Sequence, residues 1–358
     1  MPLRCVQASF EEEEGEKMKR ALLMARTNNL GDDIQAWPAW QFWERDVDAV
    51  LERDTLDWWY PPRFSVKPGQ KVAIILNGWL THNPGKWLPP NNLLPLLISL
   101  HIAPEVAPKF FRPEVIEYLS QFEIGARDLS TLDLLRSYGL KAYFSGCLTL
   151  TISYWLGRVV PSEAFRPLIV DMDKEALRYV PSEIRNAAVY TQEISRTASI
   201  VVAALSKIVR AKWTKTLKSI FPQPHLDSLY FSLFHRIPNL FPDMRKSPFS
   251  RLLLAEERLR LLSSASLILT SRLHIALPAA SLGVPVILVH GKLYEDPRFT
   301  GLSDVVNGYT LEEFRDISQS LVYDKLINPR SNKIRKLKED LLARLNTYRL
   351  NVASHIEP

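Results

Sequence analysis

The stretch TSRLHIALPAASLGVPVILV, residues 270–289, decides the predicted fold of this chain. An apolar run leads into it, a helical pattern begins at Arg272 and stops near Gly283, and a second apolar run ends it. Strand, short loop, helix and strand in this order form the unit of a parallel α/β sheet. The loop carries Ser271 as a capping hydroxyl, with Arg272 and His274 beside it. Because ligands bind at such loops and helix N-termini favour anions, we predict a site for a small anion here.

The bulk composition is that of a globular protein with a basic charge. The 358 residues are 46% hydrophobic and 23% charged, with a formal net charge of +6. This length supports a large core and, most simply, two domains. The positive charge suits an anionic substrate or a membrane surface, whereas no recognition helix or stacking-aromatic motif supports nucleic acid as a partner. Cys5 and Cys147 form no disulfide framework, which favours a reducing, cytoplasmic location.

Metal and membrane features are weak. The seven histidines show no metal-ligand spacing, so we predict neither a metal nor another cofactor. No apolar run approaches the ~20 residues that span a bilayer. The basic segment 194–218 indicates a solvated helix face, and peripheral contact with the inner face of a membrane is the alternative.

The order of elements is mostly strand then helix, repeated, which indicates two consecutive α/β halves facing each other across a cleft. The predicted boundaries are a flexible leader over 1–19, an N-terminal domain over 20–163, a C-terminal domain over 164–330 and a helix over 331–358 that braces the first domain. A proline-rich stretch from Pro84 to Pro95 predicts a loop, with a strand from Leu96 to His101 after it.

The segment NNLGDDIQ, residues 28–35, follows a short apolar run in the first half. Asn29, Asp32 and Asp33 place an amide and two carboxylates around a glycine. A turn capped by aspartate explains the pattern without chemistry. A role in shaping the cleft is the alternative, and the spacing is that of neither a dinucleotide fold nor a P-loop.

Two further strand ends carry candidate residues. Asn77 and Trp79 end the strongest strand of the first half, and Trp79, Trp87 and His82 could form an aromatic wall for a sugar ring, or the tryptophans could be core. Arg127 follows another predicted strand and either contacts a ligand or pairs locally with its neighbour, Asp128.

Taken together, these motifs resemble those of the polysaccharide pyruvyl transferase family. The matching segments occur in the family's order: NNLGDDIQ (28–35), NGW (77–79), GARDLSTLDLL (125–135), YFSGCLTLT (143–151), TSRLH (270–274), ALPAASLGVPVI (276–287) and RFTGL (298–302). The resemblance implies two Rossmann-like domains in a GT-B-like arrangement. It also implies phosphoenolpyruvate as donor, a sugar or oligosaccharide as acceptor, and a pyruvate ketal on a glycan as product.

The resemblance also implies roles for single residues. Arg272 and His274 match the family's RLH motif, and Arg127 matches the arginine of its ARD-like motif. We expect His274 to act as general acid, with Arg272, Arg127 and Ser271 binding phosphoenolpyruvate. Which arginine takes the carboxylate and which the phosphate stays open, as does whether the acceptor is lipid-linked. The chain departs from the family at Gln192, where members often carry a histidine.

Two alternatives remain at this stage. The first is a nucleotide-sugar glycosyltransferase of the same fold, for which Glu256, Glu257 and Glu295 are the candidate ribose or base contacts. The second is a non-catalytic carbohydrate-binding protein on a decayed transferase fold.

Overall fold

The computed structural model describes residues 18–27, 29–61, 63–157, 166–191, 247–303, 305–318 and 331–354. Most of the predicted leader, the basic segment 194–218 and Gln192 lie outside the described residues. Within the described ranges, no helix is both long enough and apolar enough to cross a membrane.

The first half of the chain forms a seven-stranded sheet. Its strands are β1 (Lys19–Met24), β2 (Ala49–Glu52), β3 (Trp58–Tyr60), β4 (Val72–Trp79), β5 (Leu93–His101), β6 (Ile124–Ala126) and β7 (Ala142–Phe144). Their spatial order is β3-β2-β1-β4-β5-β6-β7, and only β2 and β3 run antiparallel. The accompanying helices are α1 (Leu30–Phe42), α2 (Ala107–Phe110), α3 (Pro113–Ser120), α4 (Leu129–Ser137) and α5 (Ile152–Leu156).

The second half forms a five-stranded, all-parallel sheet with the order β12-β11-β10-β8-β9. Its strands are β8 (Pro167–Val170), β9 (Val189–Thr191), β10 (Leu267–Thr270), β11 (Val286–Val289) and β12 (Asn307–Tyr309). The described helices from this point on are α6 (Lys174–Tyr179), α7 (Ser182–Ala187), α8 (Pro248–Ser263), α9 (Leu273–Ser281), α10 (Leu311–Ser318) and α11 (Ser331–Ser354).

Both sheets are Rossmann-like, since the strand order of each reverses once. The reversal lies between β1 and β4 in the first sheet and between β8 and β10 in the second. A reversal leaves a crevice outside the carboxyl ends of the two strands, where ligands bind in folds of this kind. The prediction of two Rossmann-like, GT-B-like halves is confirmed.

One hydrophobic core joins the two halves. Trp37 and Trp40 of α1 belong to the same buried cluster as Leu252 and Leu259 of α8 and Leu277 of α9. Burial of each large apolar side chain contributes about 1.5–3 kcal/mol. The helix that follows β1 is therefore packed between the halves, and its first turn lies at their junction.

The C-terminal helix braces the first half, as predicted. Tyr348 of α11 inserts its hydroxyl between β4 and β5, where it accepts from the Ile74 N–H at 2.8 Å and donates to the Leu94 carbonyl at 2.6 Å. Arg344 pairs with Glu123 at 2.7 Å on the same side of the molecule.

The predicted loop was wrong at its end, because β5 begins at Leu93 and includes Pro95. Pro95 is the register partner of Ile74 in the parallel ladder. A proline has no N–H to give to a ladder, and its ring disturbs the pairing beside it. The Tyr348 hydroxyl fills this gap, so a contact from the far end of the chain lets the strand pass through a proline.

Candidate active site

The first turn of α1 lies at the carboxyl end of β1. Asn29 is the N-cap, and its Oδ1 accepts from the Gly31 N–H at 3.1 Å. Asp32 accepts from Arg53 at 3.0 Å and from the Thr27 hydroxyl at 2.5 Å. The expected aspartate cap was wrong, because the capping side chain is that of Asn29, and Asp32 bonds to Arg53 and Thr27 instead.

Asp33 makes a different contact, to the second half of the chain. Both of its carboxylate oxygens accept from the guanidinium of Arg251 in α8, at 2.9–3.1 Å. Burial raises the pKa of the Asp33 carboxyl, and the Arg251 charge opposes that rise. The geometry is a bidentate lock between α1 and α8, with the carboxylate almost wholly shielded from solvent.

Gln35, in the second turn of α1, connects Arg127 to His274. Its Oε1 accepts from Arg127 Nη1 at 3.3 Å, and its Nε2 lies 3.3 Å from His274 Nδ1. Arginine offers only donors, so the Gln35 oxygen must face Arg127 and its amide NH₂ must face the histidine. His274 Nδ1 therefore accepts a hydrogen bond, and the ring is the neutral tautomer with its proton on Nε2.

Two donors in this chain of contacts have no acceptor. His274 Nε2 and Arg127 Nε are both sealed from solvent and form no hydrogen bond within the described residues. A carboxylate oxygen of Asp128 lies 3.5 Å from Arg127 Nε, close enough for an ion pair but without hydrogen-bond geometry. Leaving a buried donor unpaired costs about 1–3 kcal/mol, so a missing partner is indicated at this place.

The electrostatic environment of His274 is positive. Burial lowers its pKa well below the usual value, and the charges of Arg127, Arg298 and Arg53 lower it further. Three of the local arginines have close carboxylate partners: Arg53 with Asp32 and Asp54, Arg298 with Asp296, and Arg251 with Asp33. Arg127 is less completely neutralised than these. The junction therefore favours an incoming anion.

Arg272 and Ser271 lie between the end of β10 and the start of α9. Arg272 is the N-cap of α9 and gives no side-chain capping bond, and its Nε lies 3.6 Å from Asp171 at the end of β8. The expectation of Ser271 as the capping hydroxyl was wrong, because its Oγ accepts from the Asp173 N–H at 2.9 Å. Its short side chain ties two neighbouring strand-end loops of the second sheet together.

The aromatic wall forms around Trp79 with partners that differ in part from those expected. His82 lies 4.9 Å from the Trp79 ring, and the Arg298 guanidinium lies 5.7 Å from it. Trp87 does not join them, since it is buried against Phe110 in the core of the first half. His82 Nδ1 also lies 2.7 Å from the Arg53 guanidinium, which connects the wall to Asp32.

Asn77 connects the end of β4 to α1 at the same junction. Its Nδ2 donates to the backbone carbonyl of Gln35 at 2.8 Å, which fixes α1 against the end of β4. Its Oδ1 is buried and has no hydrogen-bond partner within the described residues. Asn77, Gln35 and Asp32 line a cavity of about 10 Å³, enough for one water molecule.

The profile of the polysaccharide pyruvyl transferase family matches residues 29–290. The chain belongs to this family. The match spans the start of α1, the Arg127 loop and the His274 helix, which are the three elements that meet at the junction. Membership makes the protein a transferase of polysaccharide pyruvylation. A search of curated proteins finds no match.

Three solved structures are similar at a distance. An uncharacterized protein of Klebsiella pneumoniae subsp. pneumoniae NTUH-K2044 has a TM-score of 0.42 and 14% identity, over 80% of this chain and 88% of that one. The S. aureus MnaA–UDP structure has a TM-score of 0.42 and 14% identity, over 87% of this chain and 90% of that one. Methanocaldococcus jannaschii UDP-GlcNAc 2-epimerase, in complex with UDP-GlcNAc and UDP, has a TM-score of 0.38 and 12% identity, over 92% of this chain and 100% of that one. At these TM-scores the likenesses carry no argument about this transferase.

Three residues at the junction of this transferase were not predicted as site residues. Gln35 and Arg298 belong to segments singled out as family motifs, but neither was selected from them. His101 ends a predicted strand, which is the signal that could have found it. Arg298 reaches Trp79 because the loop around it docks on α4, where Thr300 accepts from the Leu129 and Ser130 N–H groups.

Proposed function

We propose that this transferase moves the pyruvyl group of phosphoenolpyruvate onto two hydroxyls of a glycan and forms a cyclic pyruvate ketal. One observation supports this most: the junction of the halves holds two buried donors without acceptors, Arg127 Nε and His274 Nε2. A small anion with several oxygens would supply both acceptors and offset the local positive charge.

Charge matching favours phosphoenolpyruvate over a singly charged ligand. Its carboxylate and phosphate need two cationic partners, and we assign these to Arg127 and Arg272. Arg127 is buried, whereas the side chain of Arg272 is 46% exposed and its Nε lies 3.6 Å from Asp171. The uncapped start of α9 adds N–H groups and a positive dipole end beside His274.

His274 is the proposed general acid, and burial together with the neighbouring cations keeps it neutral by lowering its pKa. Its Nδ1 can take a proton only if the Gln35 amide turns over, because the NH₂ group now donates to it. The Gln35 oxygen is held by Arg127, so an anion that draws Arg127 away would release the amide. Donor binding would then raise the pKa of His274 and charge the acid only when substrate is present.

The chemistry balances without a redox partner. One acceptor hydroxyl adds its oxygen to C2 of the donor while C3 receives a proton from His274. The second hydroxyl then displaces phosphate at C2 and closes the ketal. Of the two hydroxyl protons, one is accounted for by the new methyl group and one leaves with phosphate, so both histidine and solvent return to their starting state.

The proposed setting is cytoplasmic, and the proposed acceptor is a sugar or oligosaccharide. A soluble and a lipid-linked acceptor both fit, the latter with peripheral contact at the inner face of a membrane. The glycosyltransferase alternative loses one of its candidates, because Glu256 already accepts from Arg45 at 2.7 Å and Arg260 at 2.8 Å.

Ligand-induced stabilisation tests the donor first. At a phosphoenolpyruvate concentration 100-fold above its Kd, the free energy of unfolding should rise by about 2.7 kcal/mol. UDP, as a nucleotide control, should give no such change. Stabilisation by UDP and none by phosphoenolpyruvate would overturn the proposal in favour of a nucleotide-sugar enzyme.

Turnover tests the reaction. Free phosphate should be released only when phosphoenolpyruvate and an acceptor glycan are both present, and mass spectrometry should find the ketal on the glycan. Binding of both ligands without phosphate release from any glycan of a broad panel would favour the non-catalytic alternative.

A further inference from the structure

A second histidine lies at the junction, paired to a carboxylate that the proposed acid step does not use. His101 ends β5, and Asp128 follows β6 as the N-cap of α4. His101 Nδ1 lies 2.6 Å from Asp128 Oδ2, and the two side chains are 1% and 0% exposed.

Asp128 is held in one orientation. Its Oδ1 accepts from the Thr131 N–H at 2.9 Å and from the Thr131 hydroxyl at 2.8 Å, which leaves Oδ2 for the histidine. Burial alone would raise the pKa of Asp128, but His101 and Arg127 hold it below its usual value, so the carboxylate is ionised. An ionised Asp128 accepts the Nδ1 proton, and His101 Nε2 carries the free lone pair.

The surroundings keep that lone pair available. Burial lowers the pKa of His101, and the charges of Arg127 and, to a smaller extent, Arg298 lower it further. Asp128 acts in the opposite direction and raises this pKa. His101 Nε2 forms no hydrogen bond within the described residues. The ring lies 5.9 Å from that of Trp79, edge to face, so the histidine borders the aromatic wall.

We propose that His101 is the general base for the acceptor hydroxyl and that Asp128 is the positioning residue that fixes its tautomer. This rests on the proposed function. A sugar ring packed on Trp79 would bring a hydroxyl to His101 Nε2 while the donor binds at Arg127 Nε and His274 Nε2. The two histidines then divide the work: His274 gives a proton to the donor, and His101 takes one from the acceptor.

The step is balanced in protons and electrons. As the O–H bond breaks, its proton passes to His101 Nε2 and its electron pair forms the new bond to C2. The C2=C3 pair takes the proton of His274. In the second half-reaction the departing phosphate takes the proton from His101. The proton of the second hydroxyl passes to His274, so both histidines return to their starting state.

Two variants and one control test the proposal. His101→Gln removes the base, and Asp128→Asn keeps the oxygen that caps α4 while presenting an amide donor to His101. His290→Gln is the control, since His290 also follows a strand end but is only partly buried and contacts Phe299. Each protein is assayed with phosphoenolpyruvate and a methyl hexopyranoside that the unmodified enzyme pyruvylates, chosen from a panel of such glycosides.

The expected result is a loss of about 10² or more in kcat for both dyad variants, with the phosphoenolpyruvate Kd within about threefold of the unmodified value. Because a base must be neutral, activity of the unmodified enzyme should fall at acid pH, and this acid limb should be absent in His101→Gln. The control should keep both its rate and its pH profile.

Several outcomes would overturn the dyad. Full activity of either dyad variant would do so while leaving the pyruvyl transfer intact, and so would a rate loss that keeps the acid limb unchanged. If the unmodified enzyme binds no phosphoenolpyruvate and pyruvylates none of the glycosides, the proposed function fails instead, and the dyad proposal falls with it.

Discussion

Among the buried polar contacts that α1 makes with the second half of the chain, those of Asp33 and Gln35 differ in completeness. Asp33 is fully paired, since both of its carboxylate oxygens accept from Arg251. Two residues later, Gln35 joins Arg127 to His274 but leaves Arg127 Nε and His274 Nε2 without acceptors. A saturated contact needs nothing further, whereas an unsaturated one at the same depth is a place for a ligand. Within one turn of α1, therefore, the Asp33 contact serves the stability of the fold and the Gln35 contact serves ligand binding.

The largest effect is expected at the saturated contact. Arg251→Met leaves the Asp33 carboxylate buried and unpaired, which should lower the free energy of unfolding by about 3–5 kcal/mol. Denaturant unfolding measures the change. The double variant Asp33→Leu with Arg251→Met should recover much of the loss, and its phosphoenolpyruvate affinity should stay normal. If the double variant is stable but binds no phosphoenolpyruvate, the Asp33–Arg251 pair is part of the binding site, and the distinction between the two contacts is wrong.

The unsaturated contact should respond in rate instead. His274→Gln removes the proposed acid and should lower kcat by about 10² or more, with the Kd for phosphoenolpyruvate changed only a few-fold. Steady-state kinetics and calorimetry measure the two quantities separately. An active His274→Gln enzyme would show that the proton comes from another group.

The two arginines assigned to the donor should differ in strength. Arg127→Met removes a buried cation and should weaken phosphoenolpyruvate binding by about 2–4 kcal/mol, within the range for a buried charge pair. Arg272→Ala removes a half-exposed one and should cost about 1 kcal/mol, since exposed pairs contribute little. Calorimetric titration of both variants checks the ranking. A larger loss of affinity in Arg272→Ala than in Arg127→Met would place the donor beside Asp171 and Arg272 instead.

Substitutions of Gln35 should have a small effect on the rate and a specific effect on its pH dependence. Gln35→Glu places a carboxylate beside His274 Nδ1, which raises the pKa of the imidazole, so the acid stays protonated to higher pH. The basic limb of the kcat profile should move to higher pH, while Gln35→Leu should lower kcat by about tenfold without that shift. An unchanged basic limb in Gln35→Glu would show that the amide does not control His274.

The sequence was sufficient for the fold class because strand and helix periodicity are local. Arg127 and His274 were both selected because each follows a strand end, and the structure brings these two residues, which come from different sheets, to the two ends of Gln35. Pro95 could not be placed in a strand, because its tolerance depends on Tyr348, about 250 residues away.

Bonding partners were the part that could not be predicted. Asp32 and Asp33 are adjacent in a helix, yet one pairs with Arg53 and the other with Arg251 of the opposite half. Gln35 was hidden by its ordinary residue type, and its importance comes only from the two groups that tertiary packing brings to its ends. The pairing of His101 with Asp128 depends likewise on strands that meet in space.

Proton uptake on donor binding tests the central claim most directly. Calorimetric titration with phosphoenolpyruvate at pH 7, repeated in buffers of different ionisation enthalpy, gives the number of protons taken up per ligand bound. Because burial and neighbouring cations lower the pKa of His274, and a bound anion should raise it, we predict net uptake of up to one proton, and its loss in His274→Gln. Binding with no proton uptake, or uptake that persists in His274→Gln, would contradict the account.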